Sequence, residues 1–267
     1  MGVQVTVLGS GSRGNATVVS SCRTRILVDA GFSCRETLRR MQAAGEEPER
    51  LDAILISHEH ADHVTGLAVL ARKLRVPVYM TEATREAWRR WARNGDGEAP
   101  ELEKSETFQA GRRFTIGEIA VDSFTIPHDA ADPVGFCCRA DGIQVGVLTD
   151  LGSLPGNVRQ HLKGCDLLMV ESNHDLEMLR VGPYPWPVKQ RVMSRVGHLS
   201  NAALADFLAS DYDGSAAVVV LAHLSEQNNH PELARAAAEQ ALGPRRTLVQ
   251  NRLLLASQSE PLEPITL

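Results

Sequence analysis

The chain has 267 residues, of which 43% are hydrophobic and 23% are charged. This composition is typical of a globular protein with a sizeable core, and it excludes a disordered chain. The formal net charge of −5 excludes a broad basic surface, so a nucleic-acid partner would need a local basic patch or metal ions. Five cysteines without C-x-x-C spacing, no secretory signal and no apolar run of membrane length predict a cytoplasmic protein without a membrane partner.

Short strands and amphipathic helices are predicted for the first hundred residues. Strands are expected where β-branched residues alternate or where an apolar run ends in a turn. Helices are expected where apolar residues recur every three to four positions. The predicted strands are 3–8, 16–21, 24–31, 51–57 and 76–80, and the predicted helices are 34–45, 62–75 and 81–93, followed by a loop at 94–100.

The remainder of the chain is first β-rich and then alternates strands with helices. No low-complexity linker divides it, so we predict one domain over residues 1–267, with a mixed sheet system and helices outside. The predicted strands are 113–117, 118–126, 133–140, 142–150, 165–172 and 216–225, and the predicted helices are 153–163, 186–195, 200–210 and 231–243.

A glycine motif near the start fits the G-x-G-x-x-G pattern of dinucleotide-binding proteins at Gly9, Gly11 and Gly14, with Asp29 twenty residues after Gly9. That pattern requires a helix directly after the third glycine, because the pyrophosphate binds at the helix N-terminus. Here Gly14 is followed by the β-branched segment 15–20, so we reject a nucleotide cofactor. Two interpretations stay open: a turn whose backbone approaches a site closely, and a purely structural turn.

The strongest chemical signal is the segment Ser57–His63, which holds three histidines, a glutamate and an aspartate between a buried strand and a helix. Residues two apart in an extended segment point the same way, so His58 and His60 can bind one ion together. Asp62 and His63 lie where the helix begins and can face a second ion. Imidazole and carboxylate ligands suit Zn(II), Mn(II) or Fe(II). Four ligand-type residues at this spacing disfavour the alternative of a polar helix-entry loop.

The H-x-H-x-D-H motif after a buried strand resembles the signature of metallo-β-lactamase-fold hydrolases. The resemblance implies an α/β (α+β) fold, a four-layer αββα sandwich, with two divalent ions (Zn or Mn, with Fe as a further option) at one edge of the two sheets. It extends over nearly the whole chain, because further ligand-type residues follow predicted strands in family order. It implies His58, His60 and His128 as ligands of one ion, Asp62, His63 and His223 as ligands of the other, and Asp150 as the bridge.

Two further features narrow the branch of the family. Lactamases of this fold commonly carry Cys where Asp150 stands, and an Asp there resembles phosphodiesterases, glyoxalase-type thioesterases and lactonases. His198 resembles a non-ligand His of ribonuclease Z and phosphonate-pathway phosphodiesterases, which helps to protonate the leaving oxygen or stabilises charge on phosphate. We therefore predict His198 and Asp62 as catalytic residues, with a helix-capping role for His198 left open. The chain looks like the bacterial YycJ/WalJ-like group in GSGSRGN, IPHDAADPVGF, VESNHD, YPWPVKQRVMSRVGHLSN and LAHLSEQN.

Substrate contacts are predicted from polar loops and from basic segments. Near His198, Lys189 and Arg191 are the favoured phosphate contacts. Helix 81–93 is interpreted as a solvated basic face over buried tryptophans. The other candidate substrate contacts are Arg13 and Asn15 in the glycine turn and Asn173 and His174 after strand 165–172, and the basic helix carries Arg85, Arg89 and Arg93 with Trp88 and Trp91.

Together these features favour a dinuclear-metal-dependent phosphodiesterase. We expect it to bind DNA rather than RNA and to act as a 5′-to-3′ exonuclease, with a hydroxide shared by two ions as the nucleophile. The alternatives are a thioester or lactone hydrolase and a small-molecule cyclic phosphodiesterase on the same fold. A metal-bound scaffold without turnover is disfavoured, because all seven ligand positions are filled. His230 is given no role.

Overall fold

Two seven-stranded sheets form the centre of the protein, whose computed structural model describes residues 2–93, 98–243 and 252–267. The predicted loop 94–100 therefore lies outside the described residues at 94–97. The strands of the first sheet are β1 (Gln4–Gly9), β2 (Ala16–Ser20), β3 (Arg25–Val28), β4 (Ala53–Leu55), β5 (Val78–Thr81), β6 (Ser105–Phe108) and β14 (Ile265–Thr266). Their spatial order is β14-β1-β2-β3-β4-β5-β6.

The second sheet has the spatial order β13-β12-β11-β10-β9-β8-β7. Its strands are β7 (Arg113–Ile116), β8 (Ile119–Thr125), β9 (Val134–Ala140), β10 (Ile143–Leu148), β11 (Leu167–Glu171), β12 (Val218–Ala222) and β13 (Arg252–Leu255). The described helices are α1 (Cys34–Ala43), α2 (Ala61–Val64), α3 (Leu67–Leu74), α4 (Glu82–Ala92), α5 (Gly156–Leu162), α6 (Leu176–Val181), α7 (Trp186–Val192), α8 (Asn201–Ser210) and α9 (Pro231–Leu242).

Three apolar clusters show how the sheets and helices are layered. Successive residues of a strand face opposite sides of a sheet, and β1 and β11 follow this rule. Val7 and Met169 belong to a cluster shared by the two sheets. Leu8 joins a second cluster between the first sheet and α1, α3 and α4. Val170 joins a third cluster between the second sheet and α5, α8 and α9. The layers are therefore helices, sheet, sheet and helices.

The strand directions bring many strand ends to one edge of the sandwich. Strands β3, β4, β5 and β6 are parallel, as are β10, β11, β12 and β13. Strand β8 is antiparallel to β9, which is antiparallel to β10, so β8 runs in the same direction as β10. Parallel α/β sheets bind ligands outside the carboxyl ends of their strands. The residues that follow β4, β8, β10 and β12 are the predicted ligands.

The predicted helix 62–75 is two helices, α2 and α3, because Gly66 leaves the helical hydrogen-bond pattern. Its N–H donates to Ala30 O at 2.8 Å, and a Cβ on Gly66 would lie 2.0 Å from Phe32 O. The prediction also missed β6, α6, β13 and β14. Among the described residues, no helix is both long enough and apolar enough to cross a membrane.

Candidate metal centre

The predicted ligands converge at the shared edge of the two sheets. His58 and His60 lie between β4 and α2, and Asp62 and His63 lie in the first turn of α2, whereas the other three follow strands of the second sheet. Their ligand atoms form groups in which all members lie within 4.8 Å of one another. One group is His58, His60 and His128; a second is Asp62, His63, Asp150 and His223; a third is Asp150, Glu171, His198 and His223.

The first group presents imidazole nitrogens to a common point. His58 Nδ1 lies 3.0 Å from Ser57 Oγ, whereas His58 Nε2 is buried without a hydrogen-bond partner. His128 Nδ1 donates to Gly197 O at 3.2 Å. That contact leaves His128 Nε2 facing His60 Nδ1 at 3.1 Å. Ring nitrogens in this arrangement could together hold a cation.

The second group combines two carboxylates with two imidazoles. Asp150 Oδ2 lies 2.9 Å from His63 Nε2, and Asp62 Oδ2 lies 3.4 Å from His223 Nε2. That His223 nitrogen is buried and has no hydrogen-bond partner. Asp150 belongs to the second and third groups but not to the first, so its bridging role stays a prediction.

Buried carboxylates accept hydrogen bonds from the Nδ1 atoms of three histidines. Asp29 Oδ2 lies 2.8 Å from His63 Nδ1. Glu171 Oε1 lies 2.8 Å from Nδ1 of both His223 and His198. Because a carboxylate only accepts hydrogen bonds, each of these Nδ1 atoms carries a hydrogen, and Nε2 is the ring nitrogen that faces the centre.

Glu171 is the functional residue that the sequence analysis missed. Its side chain is completely buried, and its Oε2 accepts from the backbone N–H of Leu151 at 2.8 Å and of Leu199 at 3.3 Å. It is the last residue of β11. The reasoning that selected Asp150 and His223, an ionisable residue at the end of a buried strand, would have selected Glu171 as well.

Three site residues adopt a backbone conformation that non-glycine residues rarely use. The φ angles of Asp29, Asp150 and His223 are 61°, 59° and 51°. Asp29 and His223 come directly after β3 and β12, and Asp150 is the second residue after β10. Left-handed conformations at non-glycine positions cost of order 1–3 kcal/mol and cluster at functional sites. The backbone strain thus marks the same edge as the side chains do.

The charges of the centre depend on one another. Burial raises the pKa of Asp150, but His223 and His63 hold it well below its ordinary value. Burial lowers the pKa of His63, but Asp29 and Asp150 outweigh it and raise that pKa well above the ordinary value. The buried carboxylates therefore require positive charge beside them, which protonated imidazole or a divalent cation supplies.

The donor set fits two divalent ions. It contains imidazole and carboxylate groups without thiolate, a combination that Zn, Mn and Fe accept. The ligand atoms His58 Nε2 and His223 Nε2 are buried and unpartnered, which would be costly unless another species completes their coordination. Hydrogen bonds to Asp29 and Glu171 orient two of the imidazoles, as second-sphere partners of metal ligands do.

A pocket of about 390 Å³ opens over these groups. His198 lines it and is 21% exposed. Burial lowers the pKa of His198, but the charge of Glu171, its hydrogen bond and Asp150 raise the pKa above its ordinary value. The pocket is lined by Ser12, Glu59, His60, Ala61, Asp62, Trp91, Asp150, Arg191, His198 and His223. Because Ser12 belongs to the glycine turn, that turn approaches the site.

Two of the predicted substrate contacts are exposed, and they differ in whether they line this pocket. Arg191 lines the pocket and forms an ion pair with Asp129. Arg13 is exposed but pairs with Glu226 outside the lining of this pocket. Of these two arginines, Arg191 is the one that lines the pocket over the ligand groups.

The other predicted contacts are buried and hydrogen-bond to the backbone around the site, and their contact with a substrate stays a prediction. Asn15 Nδ2 lies 3.0 Å from His63 Nε2, and its backbone N–H donates to Asp62 O at 2.7 Å. Asn173 Nδ2 donates to His223 O at 2.9 Å. These amides satisfy backbone carbonyls that burial would otherwise leave unpaired.

His174 and Lys189 are also buried. His174 O accepts from Asn201 N at 2.9 Å, just after the loop that carries His198. Lys189 Nζ donates to Arg180 O at 2.7 Å at the end of α6, so its charge caps a helix rather than meeting a phosphate. His230, which the sequence left without a role, is the N-cap of α9, where its Nδ1 accepts from Glu232 N.

Comparisons with known proteins agree with this geometry. Residues 24–224 match the family described as beta-lactamase superfamily domain. The chain is 39% identical to Exodeoxyribonuclease YycJ of Bacillus anthracis over 242 residues, covering 91% of this chain and 90% of that protein. It is 36% identical to Exodeoxyribonuclease WalJ of Streptococcus pneumoniae over 234 residues, covering 88% and 86%.

A solved structure with the same fold is the metallo-β-lactamase fold protein YhfI of Bacillus subtilis. It superposes with a TM-score of 0.72 at 19% identity, over 98% of this chain and 99% of that one. The short form of human tRNase Z superposes with a TM-score of 0.64 at 18% identity, over 97% and 98%. These likenesses confirm the predicted αββα sandwich.

Proposed function

The chain belongs to the beta-lactamase superfamily and is a metal-dependent hydrolase, and on this premise we propose that it is a dinuclear phosphodiesterase that degrades DNA as an exonuclease. The relatives named exodeoxyribonucleases match about nine tenths of the chain and support DNA as the substrate. The proposed 5′-to-3′ direction rests on the resemblance to the YycJ/WalJ-like group. Five free cysteines support a cytoplasmic location.

The observation that carries the proposal is the convergence of the seven predicted ligands into two adjoining groups. We propose that His58, His60 and His128 bind one ion, that Asp62, His63 and His223 bind the other, and that Asp150 bridges them. Bound divalent ions supply Lewis-acid chemistry, lowering the pKa of water and neutralising charge that develops on phosphate oxygens. Zn and Mn are both proposed, and Fe also suits the donor set.

We propose that His198 protonates the departing sugar oxygen. It lies beside the ligand groups, and its Nδ1 is bound to Glu171, so its Nε2 is the nitrogen available to a substrate. The charge of Glu171, its hydrogen bond and Asp150 raise the pKa of His198, which favours the protonated imidazole that a general acid requires. Glu171 acts through His198 and His223 as a positioning residue, because a completely buried carboxylate does not touch substrate.

We propose that Arg191 binds a non-bridging phosphate oxygen of the DNA strand. It is the arginine that lines the pocket, and its guanidinium offers donors beyond those that pair with Asp129. The rest of the pocket is acidic or imidazole-rich, so phosphate is admitted only when positive charge balances the carboxylates. This fits a protein whose formal net charge is −5.

The proposal is tested with DNA that carries a label at either the 5′ or the 3′ end. Single-stranded and double-stranded forms are incubated with the native chain, Asp62→Ala and the control Asp206→Asn, each with Zn(II) or Mn(II). Asp206 is an exposed carboxylate on α8, away from the pocket lining. We expect 5′-labelled DNA to release mononucleotides at once with the native chain and the control, and Asp62→Ala to be inactive.

Other outcomes would reject parts of this proposal. Internal cleavage of a circular strand would exclude a strict exonuclease. Early release from the 3′-labelled end would reverse the proposed direction. A thioester or a lactone cleaved faster than any phosphodiester would move the chain to another substrate class on the same fold.

A further inference from the structure

The two tryptophans of α4 lie in different environments. Trp88 is 2% exposed and packs in the apolar cluster between the first sheet and its helices. Trp91, three residues later, is 48% exposed and lines the pocket over the candidate metal centre. A single exposed apolar side chain is ordinary on a protein surface, but an indole at the mouth of a charged pocket requires an explanation.

The backbone of α4 is fixed relative to the centre. Thr81 caps the helix by accepting from Thr84 N, and buried Trp88 attaches the helix to the core. The same helix holds the loop after β8, since Thr84 Oγ1 donates to Asp132 O at 3.5 Å. Glu59 Oε1 accepts from Ala131 N in that loop at 2.8 Å. Trp91 is thus carried by an element tied to the ligand-bearing segments.

Two polar side chains that line the pocket with Trp91 each have a partner within the protein. Glu59 uses one oxygen for Ala131 N, and its other oxygen is buried without a hydrogen-bond partner. Arg191 pairs with Asp129. Among the described residues that line the pocket, Trp91 is the one that presents a large apolar ring. The indole can stack on the π-face of a base, but it offers few hydrogen-bonding groups that could recognise the edge of the base.

We infer that Trp91 is a stacking platform for the nucleobase next to the scissile phosphate. The inference rests on the proposed nuclease function and deepens it. Stacking on Trp91 makes the cleavage rate depend on whether a base is present at that position and very little on which base it is. Every base has a π-face, so stacking is tolerant of sequence. Trp91 thereby sets the substrate class as a base-bearing strand rather than any phosphodiester.

The first experiment measures cleavage of single-stranded oligonucleotides in which a tetrahydrofuran abasic analogue replaces one nucleotide at a time. With the native chain, we expect one position beside the cleaved linkage at which the analogue slows cleavage by about 5- to 100-fold, as loss of one stacked base implies. Exchanging the four bases at that position should change the rate by much less. The same series is repeated with Trp91→Ala, Trp91→Phe and Trp186→Ala.

The variants separate stacking from a general loss of activity. In Trp91→Ala, cleavage of the intact strand should slow by a similar factor, and the abasic analogue should cause little further loss, because the platform is already gone. Trp91→Phe keeps a ring and should recover much of the loss. Trp186 is 60% exposed on α7 but does not line the pocket, so Trp186→Ala controls for removing a surface indole.

A binding experiment provides a readout that does not depend on turnover. The His198→Ala background slows cleavage while leaving the seven predicted ligands intact. In that background, the anisotropy of a fluorescein-labelled oligonucleotide should report affinity about 5- to 100-fold weaker when Trp91→Ala is added. Native-like affinity with Trp91→Phe supports a stacked ring, whereas equal affinities of all three proteins would overturn the inference.

Failure of this inference can be told apart from failure of the proposed function. If the native chain cleaves no DNA under any metal condition, the proposed function fails. If it cleaves DNA but every abasic position is tolerated, or Trp91→Ala remains as sensitive to the abasic analogue as the native chain, the nuclease stands and the stacking platform is rejected.

Discussion

Replacing Glu171 with glutamine should lower both the stability and the metal affinity of the centre, although it replaces only one carboxylate oxygen with an NH₂ group. The Glu171 carboxylate accepts four hydrogen bonds: two from the imidazoles of His198 and His223, both at 2.8 Å, and two from backbone N–H groups at 2.8 and 3.3 Å. Glutamine has one acceptor oxygen. In either orientation, its NH₂ group faces two of these donors in a position with no exposure to solvent.

The magnitude follows from those two conflicts. A buried donor left without an acceptor costs about 1–3 kcal/mol, so Glu171→Gln should lower the free energy of unfolding by about 2–6 kcal/mol. His223 can avoid the conflict by moving its hydrogen to Nε2. That tautomer blocks the ligand nitrogen, so metal affinity should fall about 10–100-fold.

Urea unfolding of chelator-treated protein and competition with a chromogenic chelator measure the two effects separately. Glu226→Gln is the matched control, because Glu226 is exposed and its partner is the surface residue Arg13. The control should retain native stability and affinity. If Glu171→Gln also binds metal as tightly as the native chain, the carboxylate does not orient His223 and the reasoning fails.

Four further predictions concern stability. Gly31→Ala should cost more than about 3 kcal/mol or prevent folding, because its Cβ would lie 1.7 Å from Asp62 O. Gly156→Ala, with open space around its Cβ, should be neutral or slightly stabilising in the same urea titrations. Burial lowers the pKa of His174 to about 4, so the unfolded chain binds a proton more readily. The contribution of His174 to the free energy of unfolding should be complete above about pH 6.5 and fall by about 3 kcal/mol as pH drops to 4. In chelator-treated protein, His174→Asn should flatten that fall, and an unchanged pH profile would contradict the assignment. Metal removal should lower Tm, because an ion present at a thousandfold its Kd stabilises the fold by about 4 kcal/mol; a chelator that leaves both Tm and activity unchanged would refute the metal centre.

The sequence predicted the site well where local pattern and strand direction determine position. His58, His60, Asp62 and His63 lie within six residues, so their proximity needs no tertiary knowledge. The residues after β8, β10 and β12 meet them because those strands share one direction. The single-domain extent, the ligand roles and the identity of the ions stay predictions.

Other predictions depended on contacts that local pattern does not contain. The sequence predicts Asn15 and Asn173 as substrate contacts, but both are buried and hydrogen-bond to backbone carbonyls inside the fold. Lys189 looked like a phosphate contact until the position of α6 supplied Arg180 O as its acceptor. The interpretation of α4 as a solvated face over buried tryptophans was correct for Trp88 and wrong for Trp91. One turn of helix separates the two tryptophans, and only tertiary packing decides which of them is covered.

At Asp29, Asp150 and His223, the left-handed backbone conformation lowers stability, whereas the side chain is needed at the site. Glycine at any of the three would relax the main chain and at the same time delete a carboxylate or an imidazole. Directed evolution that selects for heat resistance alone would therefore favour glycine at these positions and yield inactive variants. Laboratory libraries made from this chain should hold the three codons fixed and seek gains in robustness elsewhere.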